Sequence, residues 1–235
     1  MSIDFPKAEV GAISKFFISA SHRHEVEVRR FDPLTIGIPR WIASRSRIEA
    51  QQFQDLKLSI ECIGRNVQPI KLRPLGGSAD GEHNQHELVF GAGRLQAALE
   101  LGLPVCAFVE TVDERTAFID YFTECQHAPS WRPWRLAHAV RTALDIGLFP
   151  SQRRLAEAVG CLHTEVHLLL SLSQLPAETQ AVVERLPLTR HMAKRLVVAA
   201  GRSCRERLVS LSQAALDSRN PRLSDLVRSL EAKEA

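Results

Sequence analysis

No two of the five cysteines form a C-x-x-C pair: Cys62, Cys106, Cys125, Cys161 and Cys204 stand singly. That excludes a disulfide framework and a cysteine-rich zinc site, and it predicts reduced, mostly buried thiols. Long apolar runs are missing too. None approaches the roughly 18 residues that a membrane-spanning helix needs. The opening MSIDFPKAEV lacks the basic-then-apolar order of an export signal, so the chain reads as cytosolic. No serine or cysteine stands in a recognisable activating context, and a Ser/His/Asp or Cys/His nucleophile is not assigned. His22 and His24, like His83 and His86, lack the spacing of metal ligands, and no metal set is assigned.

What is present suits a globular protein. With 45% hydrophobic residues over 235 positions, the chain can bury one or two cores and is expected to form two compact units. The net charge of +3 conceals an asymmetry. Residues 1–129 carry 14 Lys and Arg against 17 Asp and Glu, a balance of −3, which leaves +6 for residues 130–235. A basic second half points toward a polyanion, although an ordinary solvated surface explains a charge of this size equally well.

The pattern along the chain changes at about residue 130. Residues 1–24 show no sustained period and read as an arm; alternation begins with EVEVRRF, Glu25 to Phe31. DPLTIGIPRWIASRSR reads as a loop because Pro33, Gly37 and Pro39 interrupt it. A helix from Ile48 to about Ile63 follows, with Phe53, Leu56, Ile60 and Ile63 three and four apart. Strands are predicted at Pro69–Leu72, Glu87–Phe90 and Val105–Val109, with a helix from Arg94 to Leu101 before the last. This alternation predicts an α/β domain over residues 25–129. From Asp113 onward the pattern is helical, and residues 130–235 are assigned to an all-helical domain. Within it, Leu223, Leu226, Val227 and Leu230 mark a short amphipathic helix that caps the domain or dimerises.

The strongest local signal is SQRRLAEAVGCLHTEVHLLLSLSQLP, Ser151 to Pro176. Ala156, Gly160, Val166 and Leu169 fall where two short helices of a helix-turn-helix touch, turn and face each other. A plain helical hairpin would satisfy the same offsets. The second helix exposes His163, Thr164, Glu165, His167 and Leu168 and carries neither Arg nor Lys, the usual partners of guanine. Arg153 and Arg154 on the first helix are placed to grip phosphates, which positions a duplex without reading it.

A second signal is ELVFGAGRLQAALELGLPV, Glu87 to Val105, where a strand runs into a helix through two glycines. Gly91 and Gly93 would let backbone N–H groups approach an oxyanion at the helix start, with Arg94 as a forked donor. A structural tight turn with a surface arginine is the bland alternative. SWRPWR, Ser130 to Arg135, joins two tryptophans to two arginines at the expected joint, and packing of one domain on the other is its simplest use.

VQPI, a strand, G-x-x-R at a helix start, ELGLPV, an ENxxR-like stretch and a helix-turn-helix occur in that order from about Glu25 to Val198. Taken together they resemble the ParB family of plasmid and chromosome partition proteins, particularly those of conjugative plasmids and integrating elements. The resemblance implies a ParB/sulfiredoxin-like α/β domain that binds CTP, followed by an all-α helix-turn-helix domain. It implies a homodimer that clamps double-stranded DNA and engages a ParA-type ATPase, in the bacterial cytoplasm on a nucleoid or plasmid and with no membrane. On this resemblance Val67, Gln68, Pro69 and Ile70 line the nucleotide pocket, and Gly91, Ala92, Gly93 and Arg94 hold the phosphates.

The chain departs from the family's motifs at that site. Where the family reads GERR or GxRR, this sequence has GAGR, so Ala92 and Gly93 replace a polar residue and an arginine. The third motif reads ECQHA: Glu124 remains, while Cys125 and Ala128 stand for an asparagine and an arginine. Each lost charge-assisted hydrogen bond is worth about 1.5–3 kcal/mol, so two losses weaken a nucleotide by a factor on the order of 100. The expectation is a degenerate site that holds CTP or ATP with Mg²⁺ weakly and turns it over slowly or not at all. No cysteine lies within GAGR for sulfiredoxin-like chemistry. Two alternatives stay open. One is a nucleotide hydrolase or nuclease that inhibits conjugative transfer, with Glu124 as catalytic carboxylate and Asp120 beside it. The other is an interaction module forming mixed dimers with another ParB-like chain.

Overall fold

The computed structural model describes residues 27–42, 50–76, 85–127 and 133–232, so the arm at 1–24 and His22, His24, His83 and Trp131 lie outside the described residues. The described residues group into two compact units, one holding 27–39 and 50–120, the other 40–42 and 121–232. The first is α/β and the second all-helical, as the sequence pattern predicts.

The first unit is a mixed five-stranded sheet with order β1-β5-β3-β4-β2. Its strands are β1 (Val28–Phe31), β2 (Ile36–Gly37), β3 (Ile70–Pro74), β4 (His86–Phe90) and β5 (Val105–Val109). The unbroken apolar run of β5 is that of a strand paired on both sides: antiparallel to β1 and parallel to β3. The β3–β5 crossover contains β4, antiparallel to β3, and helix α2 (Ala92–Leu101). Helix α1 (Ala50–Ile63) packs on α2, and α2 also lies against β3 and β5.

Three expectations fail. The segment after Phe31 is not simply a loop, for Pro33–Thr35 form a 3-10 turn and β2 pairs in parallel with the β4 edge. Asp32 Oδ1 accepts from Leu34 N at 2.9 Å and starts that turn, while two strand residues are too few to show a period. On α1 only Ile60 of the anticipated stripe is fully buried; Phe53 and Leu56 are half-buried and Ile63 is 51% exposed at the helix end. The thiols are also less buried than anticipated: Cys106 is buried, Cys125 and Cys161 are half-buried, and Cys62 and Cys204 are exposed near helix ends.

Helix α3 (Glu114–His127) contains the division between the units at residues 120 and 121. Helices α4 (Pro133–Asp145), α5 (Gln152–Val159), α6 (His163–Ser173), α7 (Ala177–Arg185), α8 (Arg190–Arg202), α9 (Arg205–Asp217) and α10 (Leu223–Glu231) follow. Pro133 opens α4, where a missing N–H is harmless, and Trp134 and Arg135 are half-buried in its first turn. At the centre α6 packs on α4, α5 and α8 and buries Val166, Leu168, Leu169, Leu170 and Leu172. Helix α10 turns Leu223, Leu226, Val227 and Leu230 inward and lies against α8 and α9, which makes it a cap of this unit. No single described helix is long and apolar enough to cross a membrane.

Candidate anion loop and nucleic-acid interface

The two sequence motifs of the first unit meet in space. Strand β4 ends in a register shift, Lys71 opposing Phe90 while Leu72 opposes Leu88, so Val89 is the extra residue of a bulge. Such a bulge bends the strand, here just before the turn into α2. Gly91 takes φ of 103°, and a Cβ built on it would sit 2.4 Å from Ile70 Cγ2. Glycine is therefore required twice at this position, for its backbone angle and for the approach of Ile70. Its carbonyl accepts from Arg94 N and Leu95 N, both at 3.0 Å, which starts α2. No side-chain hydrogen bond caps this helix, and its first turn holds no carboxylate to offset its positive end.

Arg94 does not extend as a spare donor. Its Nη1 donates to Pro69 O at 2.8 Å and Gln68 O at 3.1 Å, so the guanidinium ties GAGR to VQPI. Asn66, which the sequence reading passed over, holds the same segment from the other side. It is 2% exposed, its Nδ2 donates to Gln68 O at 2.9 Å and Cys106 O at 2.8 Å, and its Oδ1 accepts from Cys106 N at 2.7 Å. An asparagine two residues before Gln68 was the available signal, because buried amides bond backbone at strand entrances. Pro69 and Ile70 are buried, whereas Val67 and Gln68 face solvent.

Lys71 was also missed. Its side chain is 8% exposed, and its Nζ lies 2.5 Å from Glu110 Oε2 and 2.7 Å from Asp120 Oδ2. Burial works against the ammonium, but the hydrogen bonds that it donates to Asp120 and Glu110 outweigh it and raise its pKa. Asp120 is thus the partner of an internal lysine. His86 is equally structural: its ring meets Phe31 edge-on at 5.1 Å, and burial lowers its pKa.

In the second unit, α5 and α6 meet at 119° across the turn, within the range at which such pairs cross. Ser151 Oγ accepts from Arg154 N at 3.2 Å and opens α5; Gly160, at φ of 69°, closes it. Ala156, Val166 and Leu169 are buried at the crossing, where the sequence spacing puts them. His163, Thr164 and His167 are exposed on α6, next to Leu162 at 76%. Two of the anticipated exposed residues are not. Leu168 is 7% exposed and belongs to the core, since α6 is buried on three sides. Glu165 turns toward Arg190 of α8, Oε1 to Nε 3.5 Å, with 15% of its side chain exposed. Arg153 and Arg154 stand 82% and 71% exposed and share one carboxylate, Glu157, at 2.9 and 3.0 Å.

No family model matches the sequence. The chain is 32% identical over 167 residues to the chromosome-partitioning protein Spo0J of Thermus thermophilus, covering 71% of this chain and 58% of that one. It belongs to the ParB family. A putative replication protein B of Sinorhizobium fredii is 35% identical over 92 residues, 39% of this chain and 26% of its own. This ParB-family chain therefore spans little more than half of one curated relative and a quarter of the other. It is also similar to C-terminally truncated ParB of Caulobacter crescentus, solved with CTP-gamma-S (TM-score 0.35, 20% identity, 81% of this chain and 99% of that one). The same protein solved with the centromeric parS site gives a TM-score of 0.42 at 20% identity, covering 85% of this chain and 97% of that one.

Of the ECQHA stretch that resembles the third ParB motif, residues 124–127 lie on α3 and Ala128 lies outside the described residues. Glu124 is half-buried there. At Cys125, burial raises the thiol pKa to about 11 despite a hydrogen bond from Tyr121 and the charge of Arg135, so it is a protonated, unreactive thiol at neutral pH. Among the described residues, no group of three or more His, Cys, Asp or Glu side chains is gathered as a metal site.

Proposed function

We propose that this protein is a DNA-binding ParB-like protein of a plasmid or other mobile element, acting in partition or in control of element genes and transfer. The observation that carries the reading is the α5–α6 pair: a 119° crossing, an α6 face with exposed His163, Thr164 and His167, and two arginines at the start of α5. The N-terminal residues of such a second helix reach base edges while the first helix approaches phosphate. On this reading Arg153 and Arg154 bind the backbone, His163, Thr164 and His167 meet the groove, and Glu165 braces α6 through Arg190. A homodimer on double-stranded DNA, working with a ParA-type ATPase, fits the family.

The same reading gives the first unit a weak nucleotide site. The start of α2 offers backbone N–H groups and no carboxylate, which suits a phosphate. Against this, Arg94 is already bonded to Gln68 and Pro69, Gly93 contributes no side chain, and Asp120 is held by Lys71. CTP or ATP with Mg²⁺ would meet one committed arginine where the family motif has two. Titration calorimetry with each nucleotide and Mg²⁺ tests this. Affinities weaker than about 100 μM and no phosphate release are expected; low-micromolar binding with steady turnover would refute the degenerate site. Incubation of plasmid DNA with Mg²⁺ checks the nuclease alternative, and intact plasmid is the expected result.

A further inference from the structure

His167 is the fifth residue of α6, exposed beside His163 and Thr164. It makes two bonds with one neighbour a turn later. Ser171 Oγ lies 2.9 Å from the His167 carbonyl and 3.1 Å from His167 Nδ1. A carbonyl oxygen only accepts, so the single hydroxyl proton of Ser171 is given to the His167 carbonyl. Oγ must then accept at its other contact, and Nδ1 carries the proton that it accepts. In the neutral ring this leaves Nε2 as a lone-pair acceptor at the outer edge of the imidazole. Ser171 thus selects the tautomer as well as the ring orientation.

An acceptor on a groove-facing helix has few partners. In the major groove only cytosine N4 and adenine N6 present amino donors, whereas guanine and the thymine carbonyl present acceptors. The bonds around His167 match the absence of Arg and Lys from α6: this surface is built to accept hydrogen bonds rather than to donate to guanine. Resting on the DNA-binding reading above, we propose that His167 is a specificity-determining residue. Its Nε2 accepts from the exocyclic amino group of cytosine or adenine, and Ser171 is the positioning residue that holds it in the accepting form.

The test is selection of duplexes from a randomised library by the full chain, with a chelator present so that no bridging metal contributes. Wild type should enrich a motif with one position that admits cytosine or adenine and rejects guanine and thymine on the contacted strand. In H167A and H167F that position should flatten while its neighbours persist, and affinity for the wild-type motif should fall about fivefold or more. S171A should blur the same position, a change that loss of helix packing would not confine to one base. Long-range proton–nitrogen NMR of the free protein gives a readout without DNA: the Nδ1–H tautomer in wild type and a mixture in S171A. An unchanged motif in H167A, or an Nε2–H tautomer in wild type, overturns the inference and leaves the proposed function standing. Failure of wild type to enrich any motif, with the tautomer as stated, overturns base reading by α6 and this inference with it; the proposed function itself falls only if wild type binds no duplex at all.

Discussion

Gly91 and Lys71 hold the first unit's loop by different physics. At Gly91 the constraint is steric, since an added Cβ at φ of 103° collides with the Ile70 side chain at 2.4 Å. Gly91→Ala should lower unfolding free energy by about 2–4 kcal/mol in denaturant titration, the sum of a strained angle and an overpacked contact. Lys71 is electrostatic. Its pKa is raised by Asp120 and Glu110 against the cost of burial, so the bound ammonium favours the folded state. For a raised lysine the stabilisation is fully present below the ordinary lysine range and is lost as pH climbs through the folded-state value. Lys71→Met should therefore cost about 1–3 kcal/mol at neutral pH, with two carboxylates left unpaired. The gap from wild type should narrow under strongly alkaline conditions. A gap that stays constant with pH would assign the loss to packing instead.

At the level of elements, the α5–α6 pair places its cations where one carboxylate holds both. Arg153 and Arg154 bond Glu157, and those bonds lower the carboxyl pKa of Glu157. All three side chains are well exposed, so the pairs contribute little to stability and phosphate can replace the carboxylate. Glu157→Gln should leave the melting temperature essentially unchanged and raise duplex affinity several-fold by removing a competing anion. Melting curves and a binding titration check the two halves separately. The element also explains why Leu168 was misplaced from sequence. A short amphipathic helix would expose it, but α6 is covered by α4, α5 and α8 together, which leaves only the stripe of His163, Thr164 and His167 at its start.

For the whole molecule, an α/β unit followed by an all-helical one was legible because periods of two and of three-to-four succeed each other cleanly along the chain. The bihelical turn was legible for a related reason: Ala156, Gly160, Val166 and Leu169 satisfy a fixed set of offsets. What stayed hidden depends on pairs far apart in sequence. Lys71 with Asp120, Asn66 with Cys106 and Arg94 with Gln68 are each made by the sheet, and no local pattern announces them. They change the chemistry of the first unit, because an arginine and a carboxylate that sequence left available for ligand are bonded within the protein. On the function proposed above, contact with a polyanion falls to the second unit. The decisive measurement is duplex affinity by fluorescence anisotropy from about 50 to 200 mM salt, for wild type and for the double variant R153A/R154A. Wild type should bind, and the slope of log affinity against log salt should shrink by about two in the variant, roughly one per lost phosphate contact. No binding by wild type, or an unchanged slope in the variant, would contradict the placement of the DNA interface on α5 and α6.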